Sequence, residues 1–581
     1  MNFDIVSPVS PYHPLKSNEI RLALIESSSD DEGPLCVRLL PVNIQAPPTY
    51  DAISYVWGDD TATRCRVTNL SATAVVVWAD ALCINQLDLV ERGAQVALMG
   101  QIYANARTVL VCMGPDLSGG GGGHVASLLR EWQASAAAAT TMNINTDVYD
   151  ERWLALGALT GAPWFERMWV LQEVGLARDP RVIYGRGRES GGDGTDGPAE
   201  EFSYRLLRHV VAWTRQRAPN FAAYMGIGGL HIHDWWSDWS QPRVVGESPV
   251  ELKQPSHYQF LDLLDHGALL KCHDPRDRIY AFLGHPLAAA AGPIVPDYAK
   301  PKIQVYQETT ILLLRDSGVR TLSSVEHNAQ TIEEDVPSWV VRWDVTPTFN
   351  NIWSSHNHTY RSGAGLIMGE FLALNGNVLQ VEGVVVDSIS AVFPVRVVPS
   401  QLQILFTSAS ADHWQHLAQF ASELEQNTIE PFAYSTTAKV AILAHTLCGH
   451  LWDGQDQGTE LLRLFSDYIS RQRGSQDIAQ TAGPFYWRAE SLCRGRAFII
   501  TSKGYYGLAS AICRPGDVCA IVKEGAVPLL LRPQSLGIGS GDGSTMPRRL
   551  IGEMYLHGFM EGYAASLVQE GKLRQELLRI R

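Results

Sequence analysis

The sequence predicts an α/β domain in the N-terminal third, then a mostly helical region and a small β-rich region at the C-terminus. The α/β prediction depends on residues 75–112, where an apolar run, a polar loop, a helical pattern and a second apolar run follow one another. This is the order of a β-loop-α-β unit. After residue 496, short apolar runs alternate with Gly- and Pro-containing turns, which is typical of a small antiparallel sheet or barrel.

The chain has 581 residues, enough for several compact units. Changes in composition and pattern give the boundaries of these units. They are a β-containing extension at 1–45, the α/β domain at 46–186, a flexible insertion rich in Gly, Asp and Ser at 187–250, a mostly helical region at 251–485, a β-rich region at 486–563 and an amphipathic helix at 564–581.

Composition excludes several classes of protein. Hydrophobic residues make up 45% of the chain and charged residues 19%, which indicates a folded globular protein. The formal charge of −14 disfavours nonspecific binding to nucleic acid or anionic membranes. The nine cysteines form no C-x-x-C pair, and neither a signal-like start nor a membrane-spanning apolar stretch is found. We therefore expect a soluble cytoplasmic protein with no metal site.

Polar side chains follow two of the predicted strands. Asp80 and Asn85 lie after the strand at 75–78, where ligands usually bind in α/β sheets, although both residues also suit a helix cap and a turn. Tyr55, Trp57 and Asp59 end an earlier strand, so they would line the same cleft if the two strands are neighbours. For Trp57, a place in the core is the alternative.

Other candidates have simpler explanations. Cys83 has no basic neighbour in the sequence that would activate it, so we expect a buried packing thiol. The His-Ile-His-Asp stretch at 231–234 lacks a second cluster of metal ligands. The glycine runs at 119–123 and 537–543 lack the Lys-Ser/Thr ending of a phosphate-binding loop. Alternating charges at 274–278 predict a salt-bridged helix start.

Three segments together resemble the fungal heterokaryon incompatibility (HET) domain family. Residues 50–58 form an aromatic strand that ends in Trp-Gly. Residues 78–114 contain Trp-x-Asp-Ala-x-Cys-Ile-Asn-Gln, then a helix and a strand that ends in Gly. Residues 164–177 contain Trp-x-x-Arg-x-Trp-x-x-Gln-Glu. The stretch at 274–284 resembles a motif that is common after the HET domain.

The sequence departs from the family pattern between residues 58 and 78. Family members usually have a strand, a short motif and a helix there, whereas this chain has only about 20 residues. A helix and a strand are therefore expected to be absent, which would expose apolar faces of their neighbours. This predicts either lost coding sequence or an inactive paralogue.

The resemblance implies a role in nonself recognition and programmed cell death, triggered by an incompatibility partner protein or allele product. It also implies a flavodoxin-like fold similar to Toll/interleukin receptor (TIR) domains, some of which hydrolyse NAD with the glutamate of a Trp-x-x-x-Glu helix. Here Trp169 and Glu173 have that spacing, which places both on one helix face. Glu173 is thus the candidate catalytic residue, with NAD as the substrate and no cofactor required.

The residues leave two alternatives open. Glu173 also suits a structural ion pair with Arg167, with Trp169 in the core. In that case the protein would be a non-enzymatic module that acts by self-assembly into a homo-oligomer or by binding a partner.

Overall fold

The computed structural model has two compact units, residues 1–302 and 303–581. The described residues are 12–26, 37–56, 75–115, 121–137, 146–185, 199–228, 258–345, 352, 360–366, 372–398, 403–407, 414–426, 439–449, 457–473, 483–534 and 546–581. Among these residues, no helix is both long and apolar enough to cross a membrane.

Unit 1 contains a seven-stranded mixed sheet. Its strands are β1 (Glu19–Ile25), β2 (Val37–Asn43), β3 (Asp51–Tyr55), β4 (Val75–Trp78), β5 (Val109–Pro115), β6 (Pro180–Gly185) and β7 (Glu200–Ser203). The strand order is β2-β1-β4-β3-β5-β6-β7. The four central strands are parallel, and an antiparallel strand pairs with each side of this parallel core.

The parallel core has a topological switch point at β3. Strand β3 pairs with β4 on one side and with β5 on the other, so the chain passes to opposite sides of β3. This order is the one that the first four strands have in doubly wound flavodoxin-like sheets. In such sheets, ligands bind outside the carboxyl ends of the strands at the switch point. The end of β3 is therefore the place to look for a site.

Ten helices are described in unit 1. They are α1 (Asp80–Cys83), α2 (Leu89–Asn105), α3 (Gly121–Ala137), α4 (Glu151–Thr160), α5 (Val170–Gly175), α6 (Tyr204–Arg217), α7 (Pro219–Tyr224), α8 (Phe260–His266), α9 (Asp277–Tyr280) and α10 (Pro286–Ala291). The predicted helix after the polar loop is confirmed as α2. It begins where Asp88 accepts hydrogen bonds from the main-chain N–H groups of Val90 and Glu91, which caps its N-terminus. Its apolar face, which includes Met99 and Tyr103, is buried.

The predicted boundaries of the N-terminal domain differ from those of unit 1. The extension at 1–45 supplies β1 and β2, because β1 pairs with β4. Residues 199–228 of the predicted flexible insertion supply β7 and two helices, since their apolar side chains, such as Leu207, are buried. Residues 258–302, expected in the helical region, also belong to unit 1.

Unit 2 contains a closed barrel. Its strands are β8 (Leu372–Asn375), β9 (Val378–Val398), β10 (Gln403–Thr407), β11 (Trp414–His416), β12 (Arg496–Thr501), β13 (Tyr506–Ser510), β14 (Val518–Val522), β15 (Leu529–Pro533), β16 (Arg548–Leu556) and β17 (Gln575–Ile580). Strands β9, β12, β13, β16, β15 and β14 pair in that order, and β14 pairs back with β9 to close the ring. The ring encloses apolar residues such as Ile499, Cys519 and Ile551.

The α-helices described in unit 2 are α11 (Lys302–Asp316), α12 (Leu417–Gln426), α13 (Lys439–Leu447), α14 (Gln457–Arg473), α15 (Pro484–Cys493) and α16 (Tyr563–Gln569). Helices α12 to α15 pack around a second apolar cluster, which contains Phe420, Phe465 and Phe485.

One prediction about unit 2 was incomplete and another was wrong. The described residues of 251–485 contain more helix than strand, but they also contain β8 to β11, and β9 alone has 21 residues rich in β-branched valine. Residues 564–581 are not one amphipathic helix. Helix α16 ends before Gly571, which has φ of +72°, and β17 follows with Leu578 and Ile580 buried at alternate positions.

Candidate functional site

The ends of β3 and β4 meet as the sequence predicted. Tyr55, the last residue of β3, donates its phenolic hydrogen bond to Asp80 Oδ1 at 2.8 Å. Asp80 is the first residue of α1, one residue beyond β4, and the same oxygen accepts from the main-chain N–H of Ala81 at 2.8 Å. Asp80 therefore ties the polar loop to the end of β3, and the N-cap position of α1 belongs to Ala79.

Asn85 lies in the turn before α2. Its side-chain oxygen accepts a hydrogen bond from the main-chain N–H of Leu87 at 3.3 Å, which is an Asx turn. Its own main-chain N–H donates to Glu91 at 2.8 Å, and Glu91 forms an ion pair with the buried Arg21. The contacts of Asn85 are thus those of a turn residue. The candidates Trp57 and Asp59, with the whole segment 57–74 where family elements were expected to be absent, lie outside the described residues.

Glu173 lies in α5 beneath the end of β3, and only 2% of it is exposed. The hydroxyl of Ser54 on β3 donates to Glu173 Oε2. The indole N–H of Trp164 donates to the Ser54 oxygen at 2.9 Å. A hydroxyl has one proton, so the Ser54 proton is directed at the carboxylate. The chain from Trp164 through Ser54 to Glu173 therefore supplies a hydrogen bond to the ionised form of Glu173.

Arg167 provides the opposite charge. Its Nη2 lies 3.6 Å from Glu173 Oε1, and its Nη1 donates to the main-chain carbonyl of Tyr55. This is the ion pair that the structural alternative for Glu173 requires. The side chain of Arg167 is 17% exposed, so the pair lies just below the surface.

The charged state of Glu173 depends on opposing effects. Burial raises the pKa of its carboxyl group, whereas Arg167 and the Ser54 hydroxyl lower it and the charge of Asp80 raises it again, with a net increase. The pKa of Tyr55 is also raised, by burial and by Asp80. Two acidic groups with raised pKa values at the end of a central strand are typical of a functional site, although structural networks produce the same shifts.

Trp169 has a different partner from Glu173. It is half-buried, and its indole N–H donates to Asp277 Oδ2 at 3.1 Å. Asp277 Oδ1 accepts from the phenol of Tyr298 at 2.6 Å. Burial raises the pKa of Asp277 to about 6, although both hydrogen bonds lower it. The two side chains of the predicted helix face therefore have different partners. The indole of Trp169 contacts Asp277, and the carboxylate of Glu173 contacts Ser54 on β3.

Three residues of this arrangement were not predicted from the sequence. Ser54 and Trp164 lie inside the motifs, but nothing in a single strand residue or a single tryptophan identified them as partners of Glu173. Asp277 was assigned to a salt-bridged helix start. Asp274 and Arg276 do form an ion pair, at 2.8 Å, whereas Asp277 accepts from Trp169 and lies 4.0 Å from Arg92.

The described residues hold no group of three or more His, Cys, Asp or Glu side chains arranged for a metal ion. Cys83 is fully buried, and burial raises the pKa of its thiol to about 12. This environment suits a packing residue and not a nucleophile.

The chain is similar to two family models and to a named protein. Residues 65–173 match the family model of the heterokaryon incompatibility protein (HET), and residues 473–573 match that of the Het-6 β-barrel domain. The chain is 22% identical to heterokaryon incompatibility protein 6, OR allele, of Neurospora crassa, over 95% of each chain. No solved structure matches. The two domain matches occur in this order, and one relative spans both of them, so the chain resembles heterokaryon incompatibility (HET) domain proteins over most of its length.

Proposed function

We propose that the protein acts in heterokaryon incompatibility, in the cytoplasm, on contact with an incompatibility partner protein or allele product. The domain matches and the relative named for this process support the role, because the relative aligns with both units and not with the HET segment alone. The barrel is then the second part of one functional chain.

In this proposal, the HET domain has a TIR-like fold and signals cell death by hydrolysing NAD. The observation that carries the proposal is the position of Glu173, a buried carboxylate next to the switch point of a parallel sheet. The strand order of the parallel core supports the TIR-like assignment. Ser54 and Arg167 favour the ionised form of Glu173, which is the form that stabilises positive charge.

The reaction needs little more than this carboxylate. The bond between the ribose C1′ and the nicotinamide nitrogen breaks, and its electron pair leaves with the nicotinamide, which becomes neutral. Positive charge develops on the ribose, where a buried carboxylate stabilises it strongly. Water then adds to C1′ and loses a proton, so that nicotinamide, ADP-ribose and one proton are formed. No general acid is required, since the leaving group already carries the positive charge.

The test is NAD turnover by the purified full-length chain, alone and when oligomerised through a fused dimerising domain. We expect the oligomerised protein to hydrolyse NAD and Glu173→Gln to abolish hydrolysis. Glu166→Gln is the matched control, because Glu166 belongs to the same motif but is exposed and pairs with Lys271 at the surface. If no form of the wild-type chain consumes NAD, the enzymatic proposal fails.

A second function is favoured by one observation. Glu173 is paired with Arg167 and nearly sealed from solvent, as a purely structural glutamate would be. The HET domain would then act as a non-enzymatic module through self-assembly or partner binding. In that case, the Glu173→Gln protein would still kill cells, provided that it folds.

A further inference from the structure

We propose that Arg167 is an internal latch: its guanidinium occupies the place beside Glu173 that the cationic nicotinamide riboside of the substrate must take. The described conformation is then the closed form of the site, and activation displaces one side chain. This inference rests on the proposed NAD hydrolysis and adds a mechanism of regulation to it.

Access to Glu173 is the first argument. Ser54 and Arg167 contact its carboxylate by a hydrogen bond and an ion pair, and Trp164 contacts it through Ser54. Ser54 and Trp164 are almost completely buried, whereas the side chain of Arg167 is 17% exposed. Of these groups, Arg167 is therefore the one that a ligand from solvent meets first. In this proposal, a ribose contacts Glu173 Oε1 only after the guanidinium has moved away from it.

Charge is the second argument. Before cleavage, the substrate carries a positive pyridinium, and during cleavage that charge moves to the ribose. A cation next to Glu173 Oε1 is thus what catalysis requires, and the guanidinium supplies one in the resting state at 3.6 Å. Arg167 and the substrate would each balance the negative charge of the same buried carboxylate, so Glu173 needs only one of these two cations at a time. They compete for one position.

The strength of the latch is the third argument. A guanidinium has five N–H donors, but with the described residues the side chain of Arg167 makes a single hydrogen bond, to the Tyr55 carbonyl. Its 3.6 Å approach to Glu173 is longer than a hydrogen bond. These contacts keep the Arg167 side chain beside Glu173 in the resting state, but the free energy needed to displace it is small.

The backbone at Arg167 does not need to move. Arg167 forms an isolated parallel bridge with Lys271, and the main-chain N–H of Met168 donates to the Lys271 carbonyl at 2.9 Å. Opening therefore consists of a rotation of the Arg167 side chain about a fixed main chain. Such side-chain rotations are fast, so the population of the closed state depends on its free energy and not on a slow opening rate.

The test uses Arg167→Gln in the full-length chain, without forced oligomerisation. Glutamine keeps a donor for the Tyr55 carbonyl but removes the charge. Arg181→Gln is the control, because Arg181 on β6 forms an ordinary surface pair with Asp179. Two quantities are measured: NAD turnover, and the affinity for a non-hydrolysable NAD analogue with a carbocyclic ribose, compared with NADH. The analogue keeps the pyridinium charge, whereas the dihydronicotinamide of NADH is neutral.

We expect Arg167→Gln to hydrolyse NAD about tenfold faster than the untriggered wild type, and to bind the cationic analogue about tenfold more tightly with little change for NADH. Addition of Glu173→Gln should remove both gains. Turnover and analogue affinity at or below the wild-type values would overturn the latch. If the oligomerised wild type fails to hydrolyse NAD, the proposed function fails, and the analogue affinity alone decides on the latch.

Arg167→Gln leaves a buried carboxylate without its ion pair, so its folding is checked by thermal unfolding. If it does not fold, Arg167→Lys replaces it, because the shorter reach of the ammonium weakens the contact with Glu173 while the charge remains. A smaller gain in analogue affinity in that variant supports the latch, and no gain overturns it.

Discussion

The Ser54 hydroxyl donates to the carboxylate of Glu173 and accepts from the indole N–H of Trp164, so one buried strand residue links a motif tryptophan to the motif glutamate. All three side chains are nearly inaccessible to solvent. The relay explains how a carboxylate so deeply buried keeps a partner for its charged form.

Ser54→Ala tests this relay. Loss of the hydroxyl removes a hydrogen bond to the ionised form of Glu173 and leaves the Trp164 N–H without its acceptor. We expect the pKa of Glu173 to rise and the free energy of unfolding to fall by about 1–3 kcal/mol. The ¹³C carboxyl titration of labelled Glu173 measures the first effect, and urea unfolding measures the second. Ser54→Thr keeps the hydroxyl and should lose less, whereas equal losses in both variants would point to packing as the cause.

The stability contribution of Asp277 should depend on pH. Its pKa is raised from 3.8 to about 6 in the folded protein, so the folded state binds its proton more tightly than the unfolded state does. This stabilisation is fully present below about pH 4 and is lost as the pH rises through about 6, a change of about 3 kcal/mol. The thermal midpoint of the wild type, measured relative to that of Asp277→Asn, should therefore fall as the pH rises from about 4 to above 6.

Tyr298→Phe provides the companion measurement for Asp277. The Tyr298 phenol donates to the carboxylate and lowers its pKa, so its removal should move the transition to higher pH. A pH-independent difference between wild type and Asp277→Asn would contradict the assignment of the transition to Asp277.

Gly93→Ala tests the packing of residues 258–302 against α2. A Cβ at position 93 would lie 2.7 Å from the carbonyl oxygen of Pro296, so the two segments must separate. We expect a loss of about 1–3 kcal/mol in stability. Gly123→Ala in α3 is the control, because nothing lies within 4 Å of its added Cβ, and alanine favours a helix. If Gly93→Ala is as stable as Gly123→Ala, residues 258–302 do not pack on α2 as described.

Cys83 should resist alkylation in the native protein. Its thiol is fully buried and its pKa is raised to about 12, so the reactive thiolate is scarce at neutral pH. We expect iodoacetamide to label Cys83 only after unfolding, whereas the partly exposed Cys272 should react earlier. Peptide mass spectrometry distinguishes the two positions. Rapid labelling of Cys83 in the folded chain would contradict its assignment as a buried packing residue.

The sequence pattern predicted the features that depend on residues close together in the chain. The apolar spacing and the Asp88 cap located α2, and the polar ends of β3 and β4 placed Tyr55 close to Asp80. The partners of Trp169 and Glu173 were not predictable in this way. Asp277 lies 108 residues from Trp169, and Ser54 lies 119 residues from Glu173. Such contacts depend on the tertiary fold, which no local periodicity encodes.

The error in the helical region has a similar origin. Strand β9 pairs with its sequence neighbours β8 and β10 and also with β12, β14 and β17, so part of its stability comes from strands that are distant in the sequence. Its valines are partly buried on both faces and give a less regular alternation than an edge strand. A helix assignment based on the surrounding segments was therefore wrong for this element.

The most direct test of the account is the NAD content of fungal cells in which the protein is expressed and oligomerised on demand. We predict that NAD falls before loss of viability with the wild type and with Glu166→Gln, and that it stays at the level of uninduced cells with Glu173→Gln. Cell death with unchanged NAD, or equal depletion by Glu173→Gln, would contradict the claim that the Glu173 carboxylate cleaves NAD.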